Sequence, residues 1–217
     1  MNKLFRQTEF ADIYRCVPNV KECNTLSHAL TSIATEYELS LSGSVEKMET
    51  KKLLSGFDSL KGHETEHIIN VLKVKKSDRF FYLIIVGLDF SSQRGSRSLS
   101  KEVEYEMLAL VHLNKNLGKV YISPESIPDK ISEFFNPIEI DFPQDKAFSD
   151  KYYVLSGDAS KVRDNLGANL RKAITGYDNL YLECSGENMI IRMQNEISIG
   201  NSKTICHSAF SILEVQK

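Results

Sequence analysis

The amino-acid sequence predicts an α+β fold in which a mostly antiparallel sheet is packed by two or three helices. Several segments alternate apolar and polar residues or form short β-branched and aromatic runs, which is typical of strands. Three other segments, near the start, in the last third and at the end of the chain, carry apolar residues at helical spacing. Because strands and helices do not alternate regularly, the pattern favours α+β over a βαβ arrangement.

The composition is that of a globular protein with a sizeable core. The 217 residues are 41% hydrophobic and 26% charged, and the net charge is −2. This length predicts a single α+β domain over residues 1–217 and leaves open a division into two lobes at about 1–122 and 123–217. The near-neutral charge excludes the strong basic field that nucleic acids and anionic membranes favour.

The chain carries no sequence signal for secretion or for a membrane span. Its first residues lack the apolar stretch of a secretory signal. Its longest apolar run, residues 80–90, is about half the length that a transmembrane helix needs. The cysteines form no C-x-x-C pair, so neither a zinc knuckle nor a thioredoxin-like site is indicated. We therefore expect a soluble, cytoplasmic protein with reduced cysteines and no direct membrane span.

The first helix is predicted at residues 19–38, directly after Pro18. Its apolar face consists of Val20, Cys23, Leu26, Leu30, Ile33 and Ala34. A short alternating segment at 39–43 predicts a strand. Residues 44–62 combine mixed charges with glycines, which is compatible with a strand or a short helix followed by a loop.

The strongest strand candidates form a hairpin in the first half of the chain. Residues 67–75 and 79–90 are rich in β-branched and aromatic residues, and the polar residues between them predict a tight turn. A polar and basic loop follows at 91–100. Residues 102–113 alternate only in part and are compatible with a strand or a helix, whereas residues 119–122 predict a strand.

Prolines punctuate the middle of the chain. Ser123 and Pro124 are start signals for a short helix. Residues 138–142 alternate as a strand, and residues 143–145 predict a turn. An aromatic strand is predicted at 151–155.

The last third combines a long helix, a hairpin and a closing helix. Asp158 is the predicted N-cap of a helix over 158–175. The apolar face of that helix consists of Val162, Leu166, Leu170 and Ile174. Residues 180–183 and 188–193 predict a hairpin, and residues 201–216 predict the closing helix.

The stretch 148–165 contains, with loose spacing, the pattern Phe-Ser-x-x-Tyr-x-(Leu/Val)-x-Gly-Asp followed by a Val-Arg helix. The matching residues are Phe148, Ser149, Tyr152, Val154, Gly157, Asp158, Val162 and Arg163. This strand-turn-helix resembles a family of uncharacterised bacterial proteins that share a domain of unknown function. The strand at 138–143, the Asn-Val-Leu sequence at 70–72 and the glycine-histidine pair at 62–63 resemble further elements of that family. The resemblance covers about residues 53–194.

The resemblance implies shared structural motifs and no established activity. Many members of the family carry this domain beside a membrane anchor. One alternative function is therefore a membrane-associated accessory protein.

One motif indicates an enzyme. Residues 63–67, His-Glu-Thr-Glu-His, match the H-E-x-x-H pattern of zinc peptidases. On a helix, that spacing places His63 and His67 one turn apart on one face as metal ligands, and Glu64 beside them acts as the catalytic general base. The motif therefore makes a zinc-dependent hydrolase another alternative function.

The surrounding sequence favours an extended conformation at this motif. Gly62 precedes it, and a β-hairpin pattern follows. In a strand the two histidines would be about 13 Å apart, at ~3.3 Å per residue, which is too far to share a metal. No third ligand is obvious; Glu102, Glu104 and His112 are the candidates.

The polar loop at 91–100 contains a second candidate site. Arg94 and Arg97 lie among glycine and serines, and guanidinium groups with backbone amides can bind an anion or a partner. The loop lacks P-loop spacing, so a solvated hairpin loop is the favoured interpretation.

Basic and aromatic residues interleave around the predicted hairpin turn, as in proteins that bind single-stranded nucleic acids. They are Lys73, Lys75, Lys76, Arg79, Phe80, Phe81 and Tyr82. The near-neutral net charge favours a solvated turn that leads into a core strand, so we expect no nucleic-acid partner.

These observations favour a non-catalytic protein- or ligand-binding module over an enzyme. The core pattern, caps and turns are well formed, whereas no set of polar residues forms a convincing catalytic pattern. We expect no cofactor and an unidentified protein partner, bound at an exposed strand edge or in a groove beside the long helices.

Metal content distinguishes the binding module from the hydrolase. We expect untagged protein and its His67→Ala variant to contain no stoichiometric zinc, because the sequence around the motif favours an extended conformation. Mass spectrometry of the metal content of both proteins measures this. About one zinc per chain, lost in the variant, would establish the metal site instead.

Overall fold

The computed structural model describes residues 20–60, 68–90, 102–124, 138–193 and 196–216. The helices are α1 (Val20–Ala34), α2 (Ser44–Leu54), α3 (Lys146–Ser149), α4 (Ala159–Asn165), α5 (Ala168–Thr175) and α6 (Ile199–Glu214). The strands are β1 (Glu38–Leu41), β2 (Ile68–Lys76), β3 (Arg79–Phe90), β4 (Glu102–His112), β5 (Gly118–Pro124), β6 (Ile138–Glu139), β7 (Tyr152–Ser156), β8 (Tyr181–Gly186) and β9 (Asn188–Arg192). Across the described ranges, no helix combines the length and the apolar character needed to cross a membrane.

The strands form one nine-stranded sheet with the order β1-β2-β3-β4-β9-β8-β5-β7-β6. Every neighbouring pair is antiparallel. The structure therefore confirms the predicted α+β fold with an antiparallel sheet.

Strand β4 joins the two halves of this sheet. It pairs with β3 from its first residue to Leu110, and with β9 from Ala109 to His112. Ala109 and Leu110 are thus the β4 residues that pair with both neighbours in the described sheet. Because β3 begins at Arg79 but pairs with β4 only from Tyr82 onward, the start of β3 extends past the end of their ladder.

Apolar residues are buried on both faces of the sheet. On one face α1, α4, α5 and α6 pack against the larger core, which includes residues of β2, β3, β4 and β9. On the other face, Leu54 of α2 and Phe57 and Leu60 after it form a second core. The sheet residues of this second core are Val71, Ile84, Val86, Leu108, Leu110 and Ile190.

Helix α6 is joined to the end of α1 by an aromatic stack and an ionic cluster. Tyr37 stacks on Phe210 with their ring centroids 4.8 Å apart. The carboxylate of Glu36 accepts a hydrogen bond from Lys203 Nζ at 2.6 Å and lies 2.8 Å from His207 Nε2. The hydrogen bond from Lys203, followed by that from His207, lowers the pKa of Glu36 to about 2.

The structure determines the conformation of two segments whose sequence is compatible with either a strand or a helix. Residues 44–54 form helix α2, whose N-terminus is held by the Glu46 carboxylate, which accepts the N–H of Gly43 at 2.8 Å. Residues 102–112 form a strand because both neighbours, β3 and β9, offer a ladder for them.

The single helix predicted at 158–175 is wrong, since two short helices occupy this stretch. The predicted N-cap is confirmed: the side chain of Asp158 accepts the N–H of Lys161 at 3.0 Å. Helix α4 ends before Leu166, whose ψ of 66° is not helical. Helix α5 then starts anew after Gly167.

Arg171 explains this break. Its Nη1 donates to the carbonyl oxygen of Leu166 at 2.6 Å, which satisfies an acceptor that a continuous helix would use. Its Nε donates to Asp145 Oδ2 at 2.8 Å, and its guanidinium lies 4.5 Å from the centre of the Phe142 ring. A local sequence pattern does not reveal these contacts, because Asp145 and Phe142 belong to a distant turn.

The helix start predicted at Ser123 and Pro124 is also wrong. Both residues belong to β5 and pair with Tyr153 and Tyr152 of β7. The pairing of β5 with β8 ends at Ile122, so the strand tolerates a proline that has no N–H to donate on that side. The rest of the predicted helix lies outside the described residues.

The strand predicted at 138–142 is shorter than expected. Strand β6 has 2 residues, and the N–H of Ile140 still donates to the carbonyl oxygen of Val154 at 2.9 Å. Beyond it the chain turns, since the N–H of Asp145 donates to the carbonyl oxygen of Phe142 at 2.8 Å. This turn removes the chain from the ladder.

Replacing Arg171 with methionine tests its role at the helix break. Arg171→Met keeps the apolar part of the side chain but leaves Asp145 and the Leu166 carbonyl without their donor, so we expect the free energy of unfolding to fall by about 2–3 kcal/mol. Urea denaturation measures this. Arg163→Met, at an exposed position of α4, is the control and should change it by less than about 0.5 kcal/mol. Equal stability of the two variants would contradict this account.

Candidate functional site

A cleft of about 520 Å³ opens where β3 and β4 stop pairing. The β2–β3 turn and the start of β3 line one side. The end of β4 and the first residue of β9 line another, and the C-terminal end of α6 contributes as well. The cleft therefore lies at the junction of the β2–β3 hairpin, the β4–β9 strand pair and the long helix α6.

The cleft results from the change of pairing partner along β4. Strands β2 and β3 stay paired as far as Lys76 and Arg79, and β4 and β9 stay paired as far as His112 and Asn188. The ladder between β3 and β4 ends earlier, so the β2–β3 hairpin and the β4–β9 strand pair continue without pairing to each other. The cleft is thus a property of the strand register and not of a loop.

The apolar lining is aromatic and aliphatic. It consists of Leu53, Phe80, Phe81, Tyr82, Leu110 and Leu213. The Phe80 side chain is 42% exposed, and Leu53 is 41% exposed. The Tyr82 ring meets the Phe80 ring edge to face at 5.8 Å, and Lys73 Nζ lies 3.9 Å from the centre of the Phe80 ring. These contacts hold Phe80 in place although it is exposed.

The polar lining consists of Asp78, Arg79, His112, Asn114, Asn188 and Gln216. His112 Nδ1 lies 3.5 Å from Asn188 Oδ1 across the β4–β9 ladder. Gln216 Oε1 accepts the N–H of Asn114 at 2.7 Å, which fixes the end of the chain after α6 against the end of β4. The Gln216 Nε2 atom is buried and has no hydrogen-bond partner among the described residues.

Arg79 contributes a guanidinium group to the cleft lining. It follows the tight turn in which Ser77 adopts a φ of 57°, and its side chain is half-buried. Within the part of the chain that the structure describes, its guanidinium makes no hydrogen bond or ion pair. A guanidinium has five N–H donors, so this group can bind an acceptor that enters the cleft.

Two acidic residues lie near Tyr82, which lines the cleft. Burial raises the pKa of Tyr82, and the carboxylates of Glu46 and Glu49 raise it further. Both glutamates belong to α2, which also contributes Leu53 to the lining.

The residues predicted as sites from the sequence lie outside the described residues. This applies to His63, Glu64 and His67 of the H-E-x-x-H motif, and to Arg94 and Arg97 of the polar loop. Their role as metal ligands, general base or anion contacts stays a prediction.

The structure does locate the candidate third metal ligands. His112 lies at the last position of β4, and Glu102 and Glu104 lie at its start. The eight-residue separation between Glu104 and His112 corresponds to about 26 Å along a strand. The backbone positions of these glutamates and of His112 therefore lie at opposite ends of β4. Over the described ranges, no group of three or more histidine, cysteine, aspartate or glutamate side chains could hold a metal ion.

A buried carboxylate elsewhere in the sheet holds the turn that follows α2. Glu183 Oε1 accepts the N–H of Asp58, and Oε2 accepts the N–H of Ser59 at 3.1 Å. Lys119 Nζ donates to both carboxylate oxygens of Asp58, at 2.8 and 3.0 Å. Burial raises the pKa of Glu183, while the hydrogen bonds and the charge of Arg192 act in the opposite direction. Because both oxygens of Glu183 are engaged, this cluster is an anchor for the turn.

The adjacent Cys206 and His207 do not form a nucleophilic pair. Cys206 is fully buried, and burial raises the pKa of its thiol, so the thiol stays protonated at neutral pH. His207 points instead to Glu36, as described for the α1–α6 contact. This agrees with the expectation that neighbours on a helix do not face each other.

Comparison with protein-family models, with curated proteins and with solved structures finds no match for this chain. The candidate site therefore depends on the geometry of the cleft.

The sequence pattern marks part of the cleft lining. Arg79, Phe80 and Tyr82 belong to the interleaved basic and aromatic residues that are typical of proteins binding single-stranded nucleic acids. No motif marks Asn188 and Gln216. The pairing of His112 with Asn188 follows from the register between the distant strands β4 and β9, and the position of Gln216 follows from the packing of α6, so neither is visible locally.

The pH dependence of stability tests the environment of Glu183. Its folded-state pKa lies above the unfolded value near 4.5, so the stability it contributes is present below that value and is lost as pH rises through the folded pKa. We expect the difference in unfolding free energy between wild type and Glu183→Gln to favour wild type most at acidic pH and to shrink as pH rises. Urea denaturation across this range measures it. Exposed Glu196→Gln is the control, and a difference that grows with pH would contradict the assignment.

Proposed function

We propose that this chain is a non-catalytic binding module whose ligand occupies the cleft between the β2–β3 hairpin and the paired ends of β4 and β9. The observation that carries the proposal is the cleft itself, which results from the strand register. A cleft built from strands and the end of a long helix is preorganised, so a ligand does not have to order it.

The size and the lining of the cleft suit a small ligand. Its volume of about 520 Å³ lies within the usual range of ligand sites, roughly 300–1,000 Å³. An exposed phenyl ring such as Phe80 loses contact with water when a ligand covers it, which is favourable by about 25 cal/mol per Å² of apolar area. A few polar groups at the edge, including Arg79 and His112, then fix the orientation of the ligand.

The polar groups of the cleft support binding more than catalysis. Among its described lining residues, His112 contacts the amide of Asn188 and lies 3.9 Å from Glu187, and neither partner is a nucleophile that it could activate. Asn114, Asn188 and Gln216 are amides, which donate and accept hydrogen bonds without transferring protons at neutral pH.

A neutral fluorescent probe tests whether the cleft binds ligands. We expect N-phenylnaphthylamine to bind wild-type protein saturably and to fluoresce more strongly when bound, because its apolar rings can cover Phe80. In Phe80→Ala the affinity should fall by about 10-fold, since the ring contributes apolar contact of roughly 1.4 kcal/mol. Fluorescence titration measures both constants.

Ile138→Ala is the matched control for this experiment. Ile138 is an exposed apolar residue, at 58%, on the edge strand β6 at the far end of the sheet. Its loss should leave the affinity for the probe unchanged. Absence of saturable binding, or an equal effect of the two substitutions, would refute the proposed role of the cleft.

A further inference from the structure

We infer that the ligand is a small amphipathic carboxylate, whose anionic group pairs with Arg79 and whose apolar body lies against Phe80. This inference rests on the proposed function and adds the chemical class of the ligand. It depends on the guanidinium of Arg79, which has no acceptor within the described ranges, and on the apolar surface beside it.

The guanidinium of Arg79 differs in its partners from those of the other half-buried or buried arginines of the described chain. Arg171 donates to Asp145 and to the Leu166 carbonyl, and Arg192 lies 3.8 Å from Glu106. Arg79 is also shielded from solvent in part, yet within the described ranges its guanidinium has no such acceptor. A planar guanidinium binds a carboxylate through two parallel hydrogen bonds, so an incoming carboxylate supplies the partner that this chain does not.

The state of the acceptors in the cleft lining leaves Arg79 available to a ligand. Asn188 Oδ1 faces His112, and Gln216 Oε1 accepts the N–H of Asn114. The Gln216 Nε2 atom is buried, so a ligand in the cleft does not reach it. Asp78 lies at the exposed turn, and within the described ranges its carboxylate forms no ion pair with Arg79. The guanidinium can therefore bind an anionic acceptor that enters the cleft.

An apolar surface lies next to Arg79. Phe80 follows it directly in β3, and Leu53 of α2 lines the same cleft. A ligand that pairs with the guanidinium can therefore lay an alkyl or aryl group on Phe80. The described lining combines one guanidinium with the neighbouring Asp78 carboxylate, which disfavours a second anionic group. This combination favours a monocarboxylate with an apolar body over a polyanion.

Two isosteric competitors test the inference. Phenylbutyrate and phenylbutanol share the same apolar body and differ in the carboxylate. In displacement of N-phenylnaphthylamine from wild type, we expect phenylbutyrate to bind about 10-fold more tightly than phenylbutanol. Arg79→Gln should abolish this preference, and Arg163→Gln, at an exposed arginine away from the cleft, should preserve it.

A second measurement does not depend on how well the variant folds. In wild type, the preference for phenylbutyrate should decrease when sodium chloride is raised to about 0.5 M, because salt screens the pairing with Arg79. Equal affinity of the two competitors, or a preference that persists in folded Arg79→Gln, would overturn the inference. The proposed function would survive that result as long as Phe80→Ala weakens binding of the neutral probe. Failure of the neutral probe to bind in the cleft would remove both.

Discussion

The change of pairing partner along β4 is the constraint on which the rest of the structure depends. Strand β4 pairs with β3 along most of the length of β4, and it pairs with β9 at the last four positions of β4. Within the described sheet the two ladders overlap only at Ala109 and Leu110. The strands on the β3 side come from the first half of the chain and those on the β9 side from the second. The nine-stranded sheet therefore depends on a short joint, which needs support from outside the sheet.

Helix α6 provides that support. Its apolar residues Ile205, Ala209 and Ile212 are buried in the core that contains β3, β4 and β9, so the helix covers both sides of the joint. Phe210 packs edge to face on Phe81 of β3 at 5.1 Å. The contacts of Glu36 with Lys203 and His207 attach α1 to the same helix. The offset that makes the joint short also separates the β2–β3 hairpin from the β4–β9 strand pair, so the candidate cleft and the main structural joint have one origin.

Polar groups in this molecule fall into two classes. Arg171 and Glu183 are buried and engaged with partners from distant segments, which is how a folded chain compensates the cost of burying charge. Arg79 is half-buried in the cleft lining and has no such partner in the described chain. A half-buried guanidinium without an acceptor favours a ligand that supplies one.

The sequence by itself determined most of the elements. Alternating and β-branched runs identified the long strands, helical spacing identified α1 and α6, and Asp158 marked a true N-cap. These features depend on neighbours within one helical turn or one strand, so a local pattern contains them. Tertiary structure alone decided the strand order, the break at Leu166 imposed by Arg171, and the placement of Pro124 in a strand. It also decided which of the described arginines lacks a partner, because tertiary contacts join residues that are far apart in sequence and no local pattern specifies them.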